Sequence, residues 1–363
     1  MFRFSGLFQS VWFCEEGLEY DIQGLFPYAY SGSCLHSGSC RCAELPGRGG
    51  LPSLGLPPSD GFDSGGFYGF GDAQGQGYFG SIGVRKYINS FTSDQWPNPY
   101  HPEVDPESRL EWPWEQVVGV IKVGYASPAW DMRFVYASTL LLPSSLKAQD
   151  SDWTLLNDPN QKTTFSDAEA KPRIWTFDAS IAPVLTPPLK GVVGLRIQQF
   201  RFTYTNMLQR SLLPGFDKYF PGAVFDFSQY YYQWYGGGIL TVALNLGALY
   251  GPLLPAPLVF RLQGDYGYDK GSNEDIHFIG VEGQPPPRIF RESTTGYSWH
   301  VNATIGLRMT STVAVSVEGD MLRVRTGGTQ HFINPPTGIT FSVDGSKVWS
   351  DQMYVEVNGS ISF

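Results

Sequence analysis

Two short clusters of ionisable residues have the types and spacing for acid–base chemistry: Asp150-Ser151-Asp152-Trp153 and Asp275-Ile276-His277-Phe278. In extended backbone, residues i and i+2 share a face about 7 Å apart along the strand. Asp275 can therefore reach the imidazole of His277, fix its tautomer and stabilise its charged form, which makes it a better general base. Asp150 and Asp152 share a face in the same way. Two carboxylates brought close repel, so one of them holds a proton or shares a water. A carboxylate pair opposed to an Asp–His pair could grip one water between them. That water could attack a carbonyl without a covalent enzyme intermediate. Taken alone, an Asp-x-Asp is usually a solvated turn or an adventitious cation site, and an Asp-x-His is little more specific. The chemistry depends on whether the fold brings the clusters to one place.

The elements that must do so are strands. From residue 78 onward side chains alternate with period two. Over 297–308, Tyr297, Trp299, Val301, Ala303, Ile305 and Leu307 form one face, and Ser298, His300, Asn302, Thr304, Gly306 and Arg308 the other. No sustained 3.6-residue period competes with this pattern. The alternation predicts about ten strands, near 78–92, 110–125, 130–142, 173–182, 191–203, 224–246, 254–268, 287–306, 311–325 and 346–363. Short connections alternate with long ones at 93–109, 143–172, 204–223, 269–286 and 326–345. That asymmetry is typical of an all-β, ten-stranded antiparallel transmembrane β-barrel with short periplasmic turns and long extracellular loops. Both acidic clusters fall in long loops, hence at one barrel mouth. The segment ending in Phe363 alternates too, as expected of a strand that closes the barrel; an edge left open in lipid would strand its backbone donors and acceptors.

Composition narrows the function. Of 363 residues only 16% are charged and 15% are aromatic, with 20 Tyr and 10 Trp, which suits interfacial girdles. The net charge of −9 argues against a nucleic-acid partner. Residues 1–72 read as an N-terminal extension, mostly unstructured, and residues 73–363 as the barrel. The extension carries all four cysteines (Cys14, Cys34, Cys40 and Cys42) at spacings that fit no standard zinc pattern. Its start is a poor match to a secretory signal, so the natural start is expected to lie elsewhere or export to use another signal. His300 reads as a hydrogen-bonded lumen residue, and His101 and His331 as solvated.

Over residues 78 to 363 the chain resembles the omptin family of outer-membrane aspartyl endopeptidases. Ser108-Arg109-Leu110-Glu111-Trp112 is similar to that family's second-strand entry, and Asp150-Ser151-Asp152-Trp153, with Asn157-Asp158-Pro159-Asn160 after it, to its Asp-x-Asp-Trp motif. Asn273-Glu274-Asp275-Ile276-His277-Phe278 resembles its second catalytic loop, Pro287-Arg288-Ile289 to Arg291 the strand that follows, and Val315 to Gly319 its ninth strand. The resemblance implies a monomeric protease in the outer membrane of a Gram-negative bacterium, its site facing the cell exterior and acting on peptides or proteins. It implies that Asp275 and His277 activate a water and that Asp150 and Asp152 complete the opposite side, with no cofactor and no metal. It implies substrate contacts at Asn273 and Glu274. The family's acidic group for a basic substrate residue is expected where this chain has Asn273, and no acidic residue is evident in the first strand, so that preference departs from the family pattern. The family also depends on lipopolysaccharide held by basic side chains, for which Arg196, Arg201 and Arg291 are candidates. The rival expectation is a non-catalytic outer-membrane barrel, an adhesin or structural protein.

Overall fold

The computed structural model describes residues 77–363 apart from 99–104, 140–144, 154–160, 213, 216, 245–257, 281–284 and 311. The extension, its cysteines, the boundary at residue 72, His101 and the segment 157–160 lie outside the described residues.

The described chain is fourteen antiparallel strands in one sheet: β1 (Gly77–Tyr87), β2 (Phe91–Trp96), β3 (Ser108–Pro113), β4 (Val117–Ala126), β5 (Trp130–Thr139), β6 (Leu146–Asp152), β7 (Thr164–Ala170), β8 (Arg173–Thr186), β9 (Leu189–Ser211), β10 (Lys218–Leu244), β11 (Leu258–His277), β12 (Arg288–Arg308), β13 (Val313–Asn334) and β14 (Ile339–Ser362). The sheet closes. β1 pairs with β4 on one side and with β14 on the other, Phe79 opposite Ser362 and Tyr87 opposite Tyr354. The backbone of Phe363 exchanges two hydrogen bonds of 3.0 Å with Tyr78, so the strand that ends the chain seals the seam.

The count of fourteen differs from the expected ten, and the reason is local. Two of the expected strands are interrupted, at 88–90 and 114–116, and two more are each carried on by a separate strand, β6 and β7, inside the expected loop 143–172. The first break carries Asn89 at φ 46°, a left-handed conformation that Asn tolerates better than most residues. Above the breaks, β2, β3, β6 and β7 carry the sheet on, running β14-β2-β3-β6-β7-β9. Meanwhile β9 to β14 climb the whole wall at 20 to 27 residues each.

A membrane-crossing strand needs only about 9–11 residues. The extra length explains a second difference: most of the expected long loops at 143–172, 204–223, 269–286 and 326–345 are strand. Lys270, Ser272 and Glu274 face outward there, as do Thr295, Ser293 and Arg291 on the neighbouring strand. Their inward partners are polar too, so the apolar–polar alternation vanishes although the strand does not.

Lower down, the pattern is inside-out. Ile82, Val193, Leu262, Tyr266, Tyr297, Val301, Ile305, Val357 and Ile361 face outward and are exposed. The steps from Tyr297 to Leu307 span about 34 Å of strand, or about 25 Å of height at 40–45° of tilt, which matches the apolar band of an outer-membrane barrel. Aromatics mark both borders: Trp234, Tyr268, Tyr297 and Trp349 above, and Tyr78, Tyr125, Trp130 and Phe363 below. The lumen at this level is filled by charges that satisfy one another. Arg85 lies 2.8 Å from Glu356, Lys122 is 2.9 Å from Glu318 and 2.5 Å from Glu356, and Arg196 is 3.0 Å from Asp178. His300, buried as expected, bridges Asp265 at 2.7 Å and Asp320 at 2.6 Å. Arg196 is therefore a lumen residue and not a basic group on the outer wall.

Breaking one partner of a buried charge pair leaves the other uncompensated, typically at about 3–5 kcal/mol. Glu356→Ala strips a carboxylate from both Arg85 and Lys122. Urea unfolding in detergent micelles, followed by tryptophan fluorescence, is expected to show a loss of that order, whereas Val357→Ala on the outer face loses far less.

Candidate active site

Above the charged lumen the inner wall turns aromatic. On β9 the inward residues change from Lys190, Arg196 and Gln198 to Phe200, Phe202 and Tyr204. Phe227 stacks with Phe202 at 5.2 Å and meets Trp112 at 4.6 Å, and Phe225 stacks on Tyr204 at 4.3 Å. This layer is the floor on which the ionisable groups stand.

Asp275 and His277 occupy the last inward positions of β11, on strand and not in loop. Seven residues separate Asp275 from the border residue Tyr268, about 23 Å of strand, so the site lies well above the apolar band. His277 Nε2–H donates to Asp275 Oδ2 at 2.7 Å. The ring is sandwiched between its cross-strand neighbours: Phe225 of β10 stacks on it at 5.0 Å and 16°, and Phe290 of β12 sits at 5.0 Å on a tilt. Asp275 is 5% exposed, and the His277 side chain 19%. One ring edge is thus locked to a buried carboxylate while the other nitrogen remains near the opening. That nitrogen, Nδ1, accepts from Arg288 Nη2 at 3.2 Å, from the residue directly opposite on β12.

Asp150 and Asp152 lie on β6, also strand and not loop. Cross-strand pairing sets Asp150 against Leu110 and Ser166, and Asp152 against Ser108 and Thr164. The Tyr204 hydroxyl reaches the Ala148 and Ser166 carbonyls at 3.1 and 3.2 Å, tying β6 and β7 to the aromatic floor. Just beyond Asp152, buried Trp153 hydrogen-bonds through its N–H to the Glu107 carbonyl at 2.7 Å, with the Arg109 guanidinium 5.2 Å from its ring.

The two clusters come from strands that are not neighbours, and they feel each other. The Asp150 carboxyl is held well above the usual carboxylate range, chiefly by desolvation, then by the charges of Asp152 and Asp275. Asp152 is raised too, by desolvation, partly offset by a hydrogen bond from Ser108 and by the charges of His277 and Arg288. Arg288 in turn is lowered by desolvation against the opposing pull of Asp275, Asp150 and Asp152. Ser108, Arg288, the aspartates and the histidine therefore form one electrostatic unit. A raised carboxyl on the β6 side and a carboxylate-bound imidazole on the β11 side are group types that can donate and accept a proton.

Of the expected substrate contacts, Asn273 points inward and Glu274 does not. Glu274 sits on the outer wall, 2.8 Å from Arg291. Asn273 Nδ2 donates to Asp94 Oδ2 at 2.7 Å and to Glu292 Oε2 at 2.5 Å. These two buried acids correct the expectation that the first strand offers none: Asp94 lies on β2, the continuation of β1 past its break. Burial, then the charge of Glu292, pushes Asp94 well up, and burial pushes Glu292 up to about 7. Sequence spacing gave no signal for either, because neither forms a local motif.

No family model matches the chain, and no curated protein matches it. Among solved structures it is similar to the outer membrane protease OmpT from Escherichia coli, with a TM-score of 0.64 at 15% identity over 79% of this chain and 97% of that one. A FadL homologue of Pseudomonas aeruginosa and the toluene transporter TodX of P. putida superpose far less well, each with a TM-score of 0.25, at 10% and 7% identity. They cover 78% and 79% of this chain and 90% of each of those chains. At 15% identity the likeness to the first of these establishes the fold alone: an all-β antiparallel barrel of the outer-membrane kind.

A carboxyl whose folded pKa exceeds its unfolded value binds more protons when folded. Its contribution is fully present below the unfolded pKa and is lost as pH rises through the folded one. Glu292 spans a window from 4.5 to about 7. Unfolding free energy is expected to fall by about 1–3 kcal/mol between pH 5 and 8. Glu292→Gln is expected to flatten that slope in denaturant titrations run across the range.

Proposed function

We propose that the protein is an outer-membrane endopeptidase of the omptin type: ten membrane-crossing strands, each interrupted pair counted as one, with the site at the extracellular rim. The single observation that carries this is the electrostatic joining of Asp150–Asp152 on β6 with Asp275–His277 on β11 over one aromatic floor. In this reading Asp275 holds Nε2–H of His277, which leaves Nδ1 to take a proton from a water. The water attacks the peptide carbonyl, and the proton taken by His277 passes to the amide nitrogen as the C–N bond breaks and the amine leaves. The protonated member of the Asp150–Asp152 pair hydrogen-bonds the developing oxyanion, and its partner helps hold the water. No covalent intermediate, metal or cofactor is needed.

Asp94 and Glu292, joined through Asn273, supply the acidic floor for a basic substrate side chain. These acids stand on β2 and β12, in place of an acid at Asn273, and a cation seated beside them favours their charged forms. Lipopolysaccharide bears on the outer wall, where Arg201 and Arg291 face outward. The substrates are peptides or proteins outside the cell, and the protein acts as a monomer.

Refolded protein in lipid is expected to cleave quenched peptides, and Asp275→Ala or His277→Ala to reduce kcat/KM by about 10²–10⁴-fold with the barrel intact by heat-modifiable migration. Unreduced cleavage in either variant rejects the assignment, and no cleavage by any form supports the non-catalytic barrel. A separate comparison of peptides with Lys and Gln before the cut bond reads the pocket. Replacing Asp94 and Glu292 together by Asn and Gln is expected to cut the Lys preference by at least about tenfold.

A further inference from the structure

The nitrogen that the proposed chemistry requires is already engaged. His277 has two ring nitrogens, and Asp275 takes one of them as Nε2–H. The lone pair on Nδ1, the only site left for a proton, accepts a hydrogen bond from Arg288. Register brings the two side chains within reach of each other, because Arg288 is the cross-strand partner of His277. Charge holds the guanidinium there. It feels Asp275, Asp150 and Asp152 together, so it sits within reach of both halves of the cleft. Phe290 lies beneath its stem, with the guanidinium 6.0 Å from that ring. The groups facing His277 are thus Asp275 on its own strand, Arg288 and Phe290 on β12, Phe225 on β10, and Asp152 through space from β6.

We propose that Arg288 is a built-in cap on the base: in the resting site its guanidinium occupies the position from which water would approach His277 Nδ1, and it swings out of the cleft before hydrolysis. Arg288 is then a gating residue that acts through His277. It is no part of the proton transfer. The side chain stands at the first position of β12 and stays partly open to solvent, the side toward which it would swing. The proposal rests on the proteolytic reading for its consequence in catalysis, but the cap itself is testable without any cleavage.

Diethyl pyrocarbonate acylates unprotonated imidazole nitrogens, and mass spectrometry resolves each modified histidine. His331, exposed on the outer wall with its Nδ1 2.7 Å from Ser342 Oγ, serves as the reactive reference, and His300, with both nitrogens bonded in the lumen, as the protected one. In the full-length protein refolded in micelles, His277 is expected to react at least about tenfold more slowly than His331, the scale of one charge-assisted hydrogen bond. Arg288→Gln is expected to remove most of that protection while His300 stays unmodified, which shows that the barrel is intact. Arg288→Lys, which keeps a donor of similar length, is expected to retain part of it. On quenched peptides Arg288→Gln is expected to raise kcat. Equal acylation of His277 in wild type and Arg288→Gln overturns the proposal. So does a fall in kcat in Arg288→Gln, which would make the guanidinium a transition-state donor. If no form cleaves peptide yet the acylation difference appears, the cap stands and the proteolytic reading falls.

Discussion

The molecule depends on closure of its sheet. Each strand of an open sheet leaves a row of backbone donors and acceptors unpaired, a cost no strand can bear in lipid. Pairing of β1 with β14 removes that edge, and everything else follows from the cylinder it makes. A closed wall gives an inside and an outside to each alternating strand. It sets His300, Asp265 and Asp320 face to face from three neighbouring strands. It also brings β6 and β11, 123 residues apart between Asp152 and Asp275, to share one cleft, although three strands lie between them in the wall.

The wall is twice as tall as a membrane requires, and the two storeys obey different rules. In the lower one, apolar side chains face outward and charges face inward, so the barrel is an inverted protein. In the upper one polar groups occupy much of both faces, with aromatics filling part of the lumen and scattered apolar residues such as Ile276 and Ile289 outside. This division explains what could be read from sequence. The lower storey was legible because lipid imposes a strict contrast between faces, as at 297–308. The upper storey was not, because water outside and hydrogen-bonding groups inside erase that contrast. Lys270 to Glu274 reads as loop and is strand.

The same reasoning separates the legible part of the site from the rest. Asp275 and His277 are two residues apart, as are Asp150 and Asp152, so strand periodicity alone predicts their shared faces. Their mutual approach, Ser108 beneath the acid pair and the partnership of Asp94, Asn273 and Glu292 are properties of register between strands. Register depends on where β1 breaks at Asn89 and where β12 begins at Arg288, and neither is written in a local pattern. Arg288 is in plain view in the sequence, yet only its pairing opposite His277 gives it a role.

The aromatic layer has a consequence for electrostatics. Two dense charge clusters share one lumen: the ion-paired network at membrane height and the site at the rim. In a medium of low dielectric, charges at 10 Å still interact by kilocalories, so distance is what keeps stacked clusters from coupling strongly. Trp112, Trp114, Phe200, Phe202 and Phe227 fill the level between them. These residues exclude water from the floor of the cleft, and the desolvation that raises Asp150 and Asp152 follows from that exclusion. The layer that separates the site from the lumen is thus also what raises its carboxyls above the usual range. The barrel needs the charges below to fill its bore, the aromatics to seal it, and the acids above only once that seal exists.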